Sequence, residues 1–121
     1  MRLEAIPILR IFDEVKAKEF YLGFLSMSLD WEHRFSGDDP IYMQVSKGDL
    51  KLHLSEHSAD CSPGAKVFVN TNSLDALYHE VTATNYKYSR PEIIQAPWGD
   101  RVFEVVDPFS NKIIFNESLN N

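Results

Sequence analysis

The chain has 121 residues, of which 44% are hydrophobic, 12% aromatic and 25% charged, so it fits one domain that buries a core, and neither global disorder nor a fibrous repeat is expected. Twelve Lys plus Arg against eighteen Asp plus Glu leave a net charge of −6, which repels polyphosphate and, with no basic run to offset it, excludes nucleic acid as the expected partner. No apolar run approaches the eighteen or so residues of a bilayer span, so no membrane partner is expected either.

Met1-Arg2-Leu3-Glu4 lacks the basic start and apolar middle of a secretory leader, which makes the cytoplasm the expected location. The first strand is read over Ala5–Ile11, with Pro7 tolerated there only at an edge or a bulge. Asp13 then offers a carboxylate to the free N–H groups of a helix start. In that helix, Ala17, Phe20, Tyr21 and Phe24 recur at the spacing that places all four on one face, over about three turns. Strands follow at Leu29–Phe35, Ile41–Ser46 and Leu50–Ser55, the last two separated by Lys47-Gly48-Asp49, a hairpin signal. Within Leu50–Ser55 the leucines share one face, and Lys51, His53 and Ser55 share the other.

The small, polar stretch 58–64 reads as a linker, and its lone Cys61 cannot close an internal disulfide. A new strand is expected at Lys66–Asn70, a helix capped by Ser73 with Leu74, Leu77, Tyr78 and Val81 on one face, and strands at Tyr86–Arg90, Arg101–Val106 and Lys112–Asn116. The last two are joined by the turn Asp107-Pro108-Phe109-Ser110-Asn111. Asp13 and Ser73 stand 60 positions apart, so the strand, helix and three strands are written twice. The expected fold is α+β: two tandem βαβββ modules of about 60 residues, near 1–57 and 65–121, forming one domain over 1–121. Each sheet has a helix on one face only, and the concavity where two such mixed sheets meet is the natural ligand groove.

Four segments carry a resemblance: Ala5-Ile6-Pro7-Ile8-Leu9; Ala17-Lys18-Glu19-Phe20-Tyr21 with Phe24-Leu25; Pro97-Trp98-Gly99-Asp100-Arg101; and the Asp107–Asn111 turn. In order and spacing they resemble the glyoxalase and bleomycin-resistance family of the vicinal oxygen chelate superfamily, and most closely its bleomycin-resistance branch. The likeness runs from Ala5 to Glu117, and Leu52-His53-Leu54-Ser55-Glu56-His57 is similar to a subgroup of that branch. Ser110 departs from the pattern, standing where the family has Gly; glycine accepts positive φ at a turn and serine does so at a cost, so strain is expected there.

The resemblance implies a non-catalytic protein that sequesters a planar, cationic antibiotic of the bleomycin class, without a cofactor. It also implies a homodimer that pairs one chain's first module with the other's second. Enzymes of the superfamily hold a divalent ion with side chains from the first and fourth strands of each module. Carried over by position, those sites are Ile6, His53, Lys66 and Ile114, of which one alone offers a lone pair at neutral pH, so no metal is expected. Stacking falls to Trp31, Phe35, Tyr42 and Trp98, charge to Asp100 or Glu104, and hydrogen bonding to His53, with Lys66 among the lining residues. Aromatic residues on strands serve equally as core, and His53, Glu56 and His57 equally as a solvated strand end. A metal-dependent glyoxalase-like lyase or dioxygenase, and a binder of an unrelated metabolite, are the alternatives that the same fold supports.

Overall fold

The doubled pattern folds as two four-stranded sheets in the computed structural model, which describes residues 1–118; the expected end of the second module, 119–121, lies outside the described residues. Sheet 1 takes β1 (Ile8–Arg10), β2 (Ser28–His33), β3 (Tyr42–Lys47) and β4 (Leu50–Ser55) in the order β1-β4-β3-β2. Sheet 2 takes β5 (Lys66–Asn70), β6 (Ile94–Gln95), β7 (Arg101–Val106) and β8 (Lys112–Glu117) in the order β5-β8-β7-β6. In both, the first strand pairs parallel with the fourth and the other pairs are antiparallel, so the sheets repeat one another in topology. β1 is shorter than the expected Ala5–Ile11: Pro7 meets β4 only through its carbonyl, which accepts the His53 N–H at 2.9 Å, because its own nitrogen has no hydrogen to donate.

Helix α1 (Glu14–Lys18) starts where Asp13 Oδ1 accepts the Lys16 N–H at 2.8 Å. It widens over Glu19–Phe24 into a π-helix, closed by a bond from Leu25 N–H to the Phe20 carbonyl at 2.9 Å. The wider turn keeps Phe20, Tyr21 and Phe24 buried together. Helix α2 (Leu74–Thr82) starts after Ser73, whose side chain makes no cap bond; the Leu74 N–H donates instead to Glu117 Oε2 at 3.2 Å. The cap comes from β8, a contact that no local sequence reading contains.

The expected strand Tyr86–Arg90 does not form, and β6 lies four residues beyond it. Tyr86 packs on Phe24 (4.8 Å, 30°) and Phe20 (5.6 Å, 70°), and the Pro91 carbonyl accepts the Tyr78 hydroxyl at 2.9 Å. The aromatic alternation that reads as strand is spent on the first module's helix.

One apolar core joins Leu9, Met43, Leu52 and Leu54 of sheet 1 to Phe103, Val105, Ile113 and Phe115 of sheet 2, through α1 and α2. At its centre the turn Asp107–Asn111 ties the sheets by polar bonds. Asn111 Nδ2 donates to the Arg10 carbonyl and to Asp107 Oδ2, each at 2.8 Å, while Asn111 Oδ1 accepts the Ala65 N–H at 3.1 Å. Ser110 in that turn has φ +71°, the strained geometry expected of a serine in a glycine position. Among the described residues no helix is long and apolar enough to cross a membrane. The core uses one face of each sheet and leaves the other free for function.

Candidate functional site

On the free face of sheet 1 the register sets Trp31 opposite Gln44, Gln44 opposite His53, and His53 opposite Ile8. A β-bulge between Leu29 and Trp31 lets Asp30 and Trp31 both address this face, where strict alternation would separate them. Trp31 lies parallel to Tyr42, with centroids 5.9 Å apart and planes 9° apart, and the His53 ring stands edge-on to both at 5.3 and 5.1 Å.

Hydrogen bonds lock this cluster. Asp30 accepts the Gln44 amide at 2.9 Å and the Ser46 hydroxyl at 3.0 Å, and those bonds hold its carboxyl below the usual range. Because the Gln44 NH₂ is given to Asp30, Gln44 Oε1 is the acceptor for His53 Nε2 at 3.0 Å. His53 therefore carries its proton on Nε2, and Nδ1 accepts the Tyr42 hydroxyl at 2.6 Å. Burial lowers the His53 pKa, which favours this neutral form, and burial raises that of Tyr42.

The free face of sheet 2 is more apolar. The turn between β6 and β7 closes with bonds from Gly99 N–H to the Ala96 carbonyl and from Ala96 N–H to the Asp100 carbonyl, each at 2.8 Å, and Gly99 sits at φ +99°. That turn aims Trp98 back over the sheet, where its Nε1 donates to Asn116 Oδ1 at 3.0 Å. Asn116 Nδ2 in turn donates to Asn70 at 3.1 Å and to Asp100 at 3.0 Å. Phe68 lies 6.2 Å from Trp98, and Ala96, Val102 and Ile114 form a small buried patch beside them. Glu104 pairs with Ile114, and Lys66 with Lys112, on this face.

A family model for "Glyoxalase superfamily protein" matches residues 2–121. The chain belongs to the glyoxalase superfamily. No curated protein sequence matches it. Among solved structures it is similar to a bleomycin-binding protein complexed with bleomycin, at 19% identity and a TM-score of 0.71, over 97% of this chain and 99% of that one. A bleomycin resistance determinant encoded on the transposon Tn5 is similar at 18% and 0.71, over 98% and 99%. TnmS3, an antibiotic-binding protein from a Streptomyces species, is similar at 21% and 0.63, over 97% and 98%. At these identities the solved structures establish the shared fold.

For a glyoxalase-superfamily chain the metal positions are a direct test of residue chemistry. In the strand register the residue opposite His53 is Ile8 rather than Ile6, and the residue opposite Ile114 is Phe68 rather than Lys66. Three of the four residues in these two pairs, Ile8, Phe68 and Ile114, carry hydrocarbon side chains with no lone pair, and both nitrogens of His53 are engaged by Tyr42 and Gln44. Among the described residues no group of three or more His, Cys, Asp or Glu is placed to hold an ion. These residues do not fit a divalent metal.

Of the residues singled out from the sequence, Trp31, Tyr42 and His53 come together on sheet 1, and Trp98, Asp100, Glu104 and Lys66 lie on or beside the face of sheet 2. Phe35 does not join either group: it lies past the end of β2, edge-on to His33 at 5.0 Å. Glu56 and His57 serve the backbone. The Glu56 carboxylate accepts the Ile41 N–H at 2.9 Å, and the His57 N–H donates to Ser55 Oγ at 3.1 Å. Sequence reasoning missed Asp30, Gln44, Phe68 and Asn116, which pattern alone marks only as polar or apolar strand residues. A cavity of about 1120 Å³ beside β5 and α2 is lined by Leu25, Met27, Val69, Leu77 and Phe115, and it reaches Phe68 and Asn70 of the sheet 2 face but none of the site residues expected from the sequence.

Proposed function

We propose that this protein is a non-catalytic cytoplasmic binder that sequesters a planar, cationic antibiotic of the bleomycin class. The carrying observation is that each sheet presents aromatic surface on the face its own core does not use. Trp31 is 43% exposed, Phe68 51% and Trp98 55%, although side chains of this size ordinarily go inside. Each ring is held by a neighbour rather than left to rotate: Trp31 by Tyr42, and Trp98 by Asn116 and Phe68. A flat ligand slides between such faces, and Glu104, Asp30 and the net charge of −6 favour a cationic tail.

In this reading the two modules, joined by 58–64, act as one domain and the working form is a homodimer. The groove lies between sheet 1 of one copy and sheet 2 of the other, which covers the exposed aromatic rings of both faces and gives two equivalent sites across a two-fold axis. The bleomycin-bound structure of similar fold supports the ligand class. Calorimetric titration with metal-free and copper-loaded bleomycin, beside a metal analysis of the purified protein, tests the proposal. Saturable binding of either form by metal-free protein is the expected result. Absence of binding heat, or a stoichiometric metal, refutes it.

A further inference from the structure

Eight of the twelve cationic side chains are held among the described residues, in ion pairs or over the rings of Phe12 and Tyr88. Of the other four, two stand directly opposite each other: Lys66 on β5 and Lys112 on β8 are a register pair. Both are exposed. Their neighbours Val67 and Ile113 point into the core, so by alternation both lysines share the free face of sheet 2 with Phe68 and Ile114. Like charges directly opposite destabilise a sheet, and a chain with eighteen carboxylates places none of them in an ion pair with either lysine among the described residues. Glu104 is the nearest carboxylate in the register, opposite Ile114 and one step along the face from the Lys112–Val106 pair.

A local rule broken without compensation in the free chain points to compensation by something that binds. One step along the face, about 7 Å at strand rise, the next register pair is Phe68 and Ile114, and Trp98 lies beyond. We propose that Lys66 and Lys112 form an anion subsite, so that the ligand of this groove is a planar aromatic compound carrying an acidic group: a carboxylate, sulfonate or phosphate. The inference rests on the groove reading above and adds to it a group of opposite sign, additional to any cationic tail met by Glu104. The acid takes both ammonium groups while the ring system lies on Phe68 and Trp98, and its binding removes the repulsion between the lysines.

Two fluorescent probes with the same rings separate the terms: anilinonaphthalene sulfonate, and N-phenylnaphthylamine, which lacks the sulfonate. The sulfonate should bind roughly tenfold tighter, the scale of one charge-assisted contact. The double variant Lys66→Ala/Lys112→Ala should erase that preference, and Lys66→Arg/Lys112→Arg should keep it. Phe68→Ala should weaken both probes alike. Equal affinity of the two probes for the natural chain, or a preference that survives the double alanine variant, overturns the subsite and leaves the groove standing. Indifference of both probes to Phe68→Ala removes the groove reading, and the subsite with it.

Discussion

The hydroxyl of Tyr21, on the first module's helix, donates to Asp107 Oδ2 in the second module at 2.7 Å, in a fully buried contact. Asp107 also accepts the N–H groups of Phe109 and Asn111 at 2.8 Å each, so one carboxylate organises the turn that joins both sheets. Tyr21→Phe removes a bond that reaches from the first module to the Asp107 carboxylate and should cost about 1.5–3 kcal/mol in urea unfolding, the scale of a hydrogen bond to a charged acceptor. A loss below about 0.5 kcal/mol would show that the turn holds the modules without Tyr21.

Burial, and then the Asp107 charge, push the Tyr21 pKa well above its ordinary value. A phenol whose folded pKa is raised binds its proton more tightly in the native state. Its stabilisation is complete below the unfolded value near 10 and is lost as pH rises through the folded one. Stability should therefore fall above about pH 10, and the fall should be smaller in Tyr21→Phe. An identical alkaline limb in both proteins contradicts this.

Ser110→Gly should stabilise the protein by roughly 0.5–1 kcal/mol, because φ +71° costs serine about 1–2 kcal/mol and glycine nothing, less the extra freedom glycine has when unfolded. Thermal unfolding of the pair decides it, and a destabilised variant would mean that the serine side chain contributes more than its backbone costs.

Burial lowers the pKa of His53, so its neutral form is worth most above the unfolded value near 6.5, and that contribution is lost as pH falls through the folded value. On protonation Nδ1 gains a hydrogen and stops accepting from Tyr42, which loosens the wall made with Trp31. NMR titration should find the His53 ring pKa below 6.5, with the Tyr42 and Trp31 ring signals shifting in the same step. A raised pKa contradicts the hydrogen-bond assignment.

Much of this was legible before any coordinates, and for identifiable reasons. The helix faces were, because Ala17, Phe20, Tyr21 and Phe24 repeat at helical spacing and all are buried; the Asp13 cap was, because its bond spans three residues. Pairing register was not. The two-residue difference between Ile6 and Ile8 opposite His53 depends on where the ladder starts after Pro7, a long-range choice. Trp31 and Tyr42 were readable as candidates but not as a stacked pair, since their alignment needs the bulge at Asp30. Tyr86 misled because a ring that packs on another element leaves the same trace as a ring on a strand.

Trp98 is held by one hydrogen bond at a turn and is 55% exposed. Trp98→Ala should weaken binding of a planar ligand by roughly 1–3 kcal/mol, a scale taken from stacking of bases on aromatic side chains. Its cost in stability should stay well under the about 3–5 kcal/mol of a core tryptophan. Loss of fold with binding retained in the folded fraction would assign Trp98 to structure.

If the proposed groove joins two copies, light scattering at micromolar concentration should give about 28 kDa, twice the chain mass of 13.9 kDa, with the exposed aromatic faces of both sheets covered. A mass of one chain in a protein that binds ligand fully would move the groove inside a single copy.

The proposed shared groove is tested most directly by mixing two damaged copies. Trp31→Ala spoils the sheet 1 wall and Trp98→Ala the sheet 2 wall, so each variant alone has two defective grooves. If a groove takes its walls from different copies, the mixed dimer has one groove with both tryptophans intact and one with neither. After the two variants exchange subunits, calorimetric titration with bleomycin should show natural affinity at up to one site per mixed dimer, where each variant alone is weak. A mixture that binds no better than its components would contradict the account.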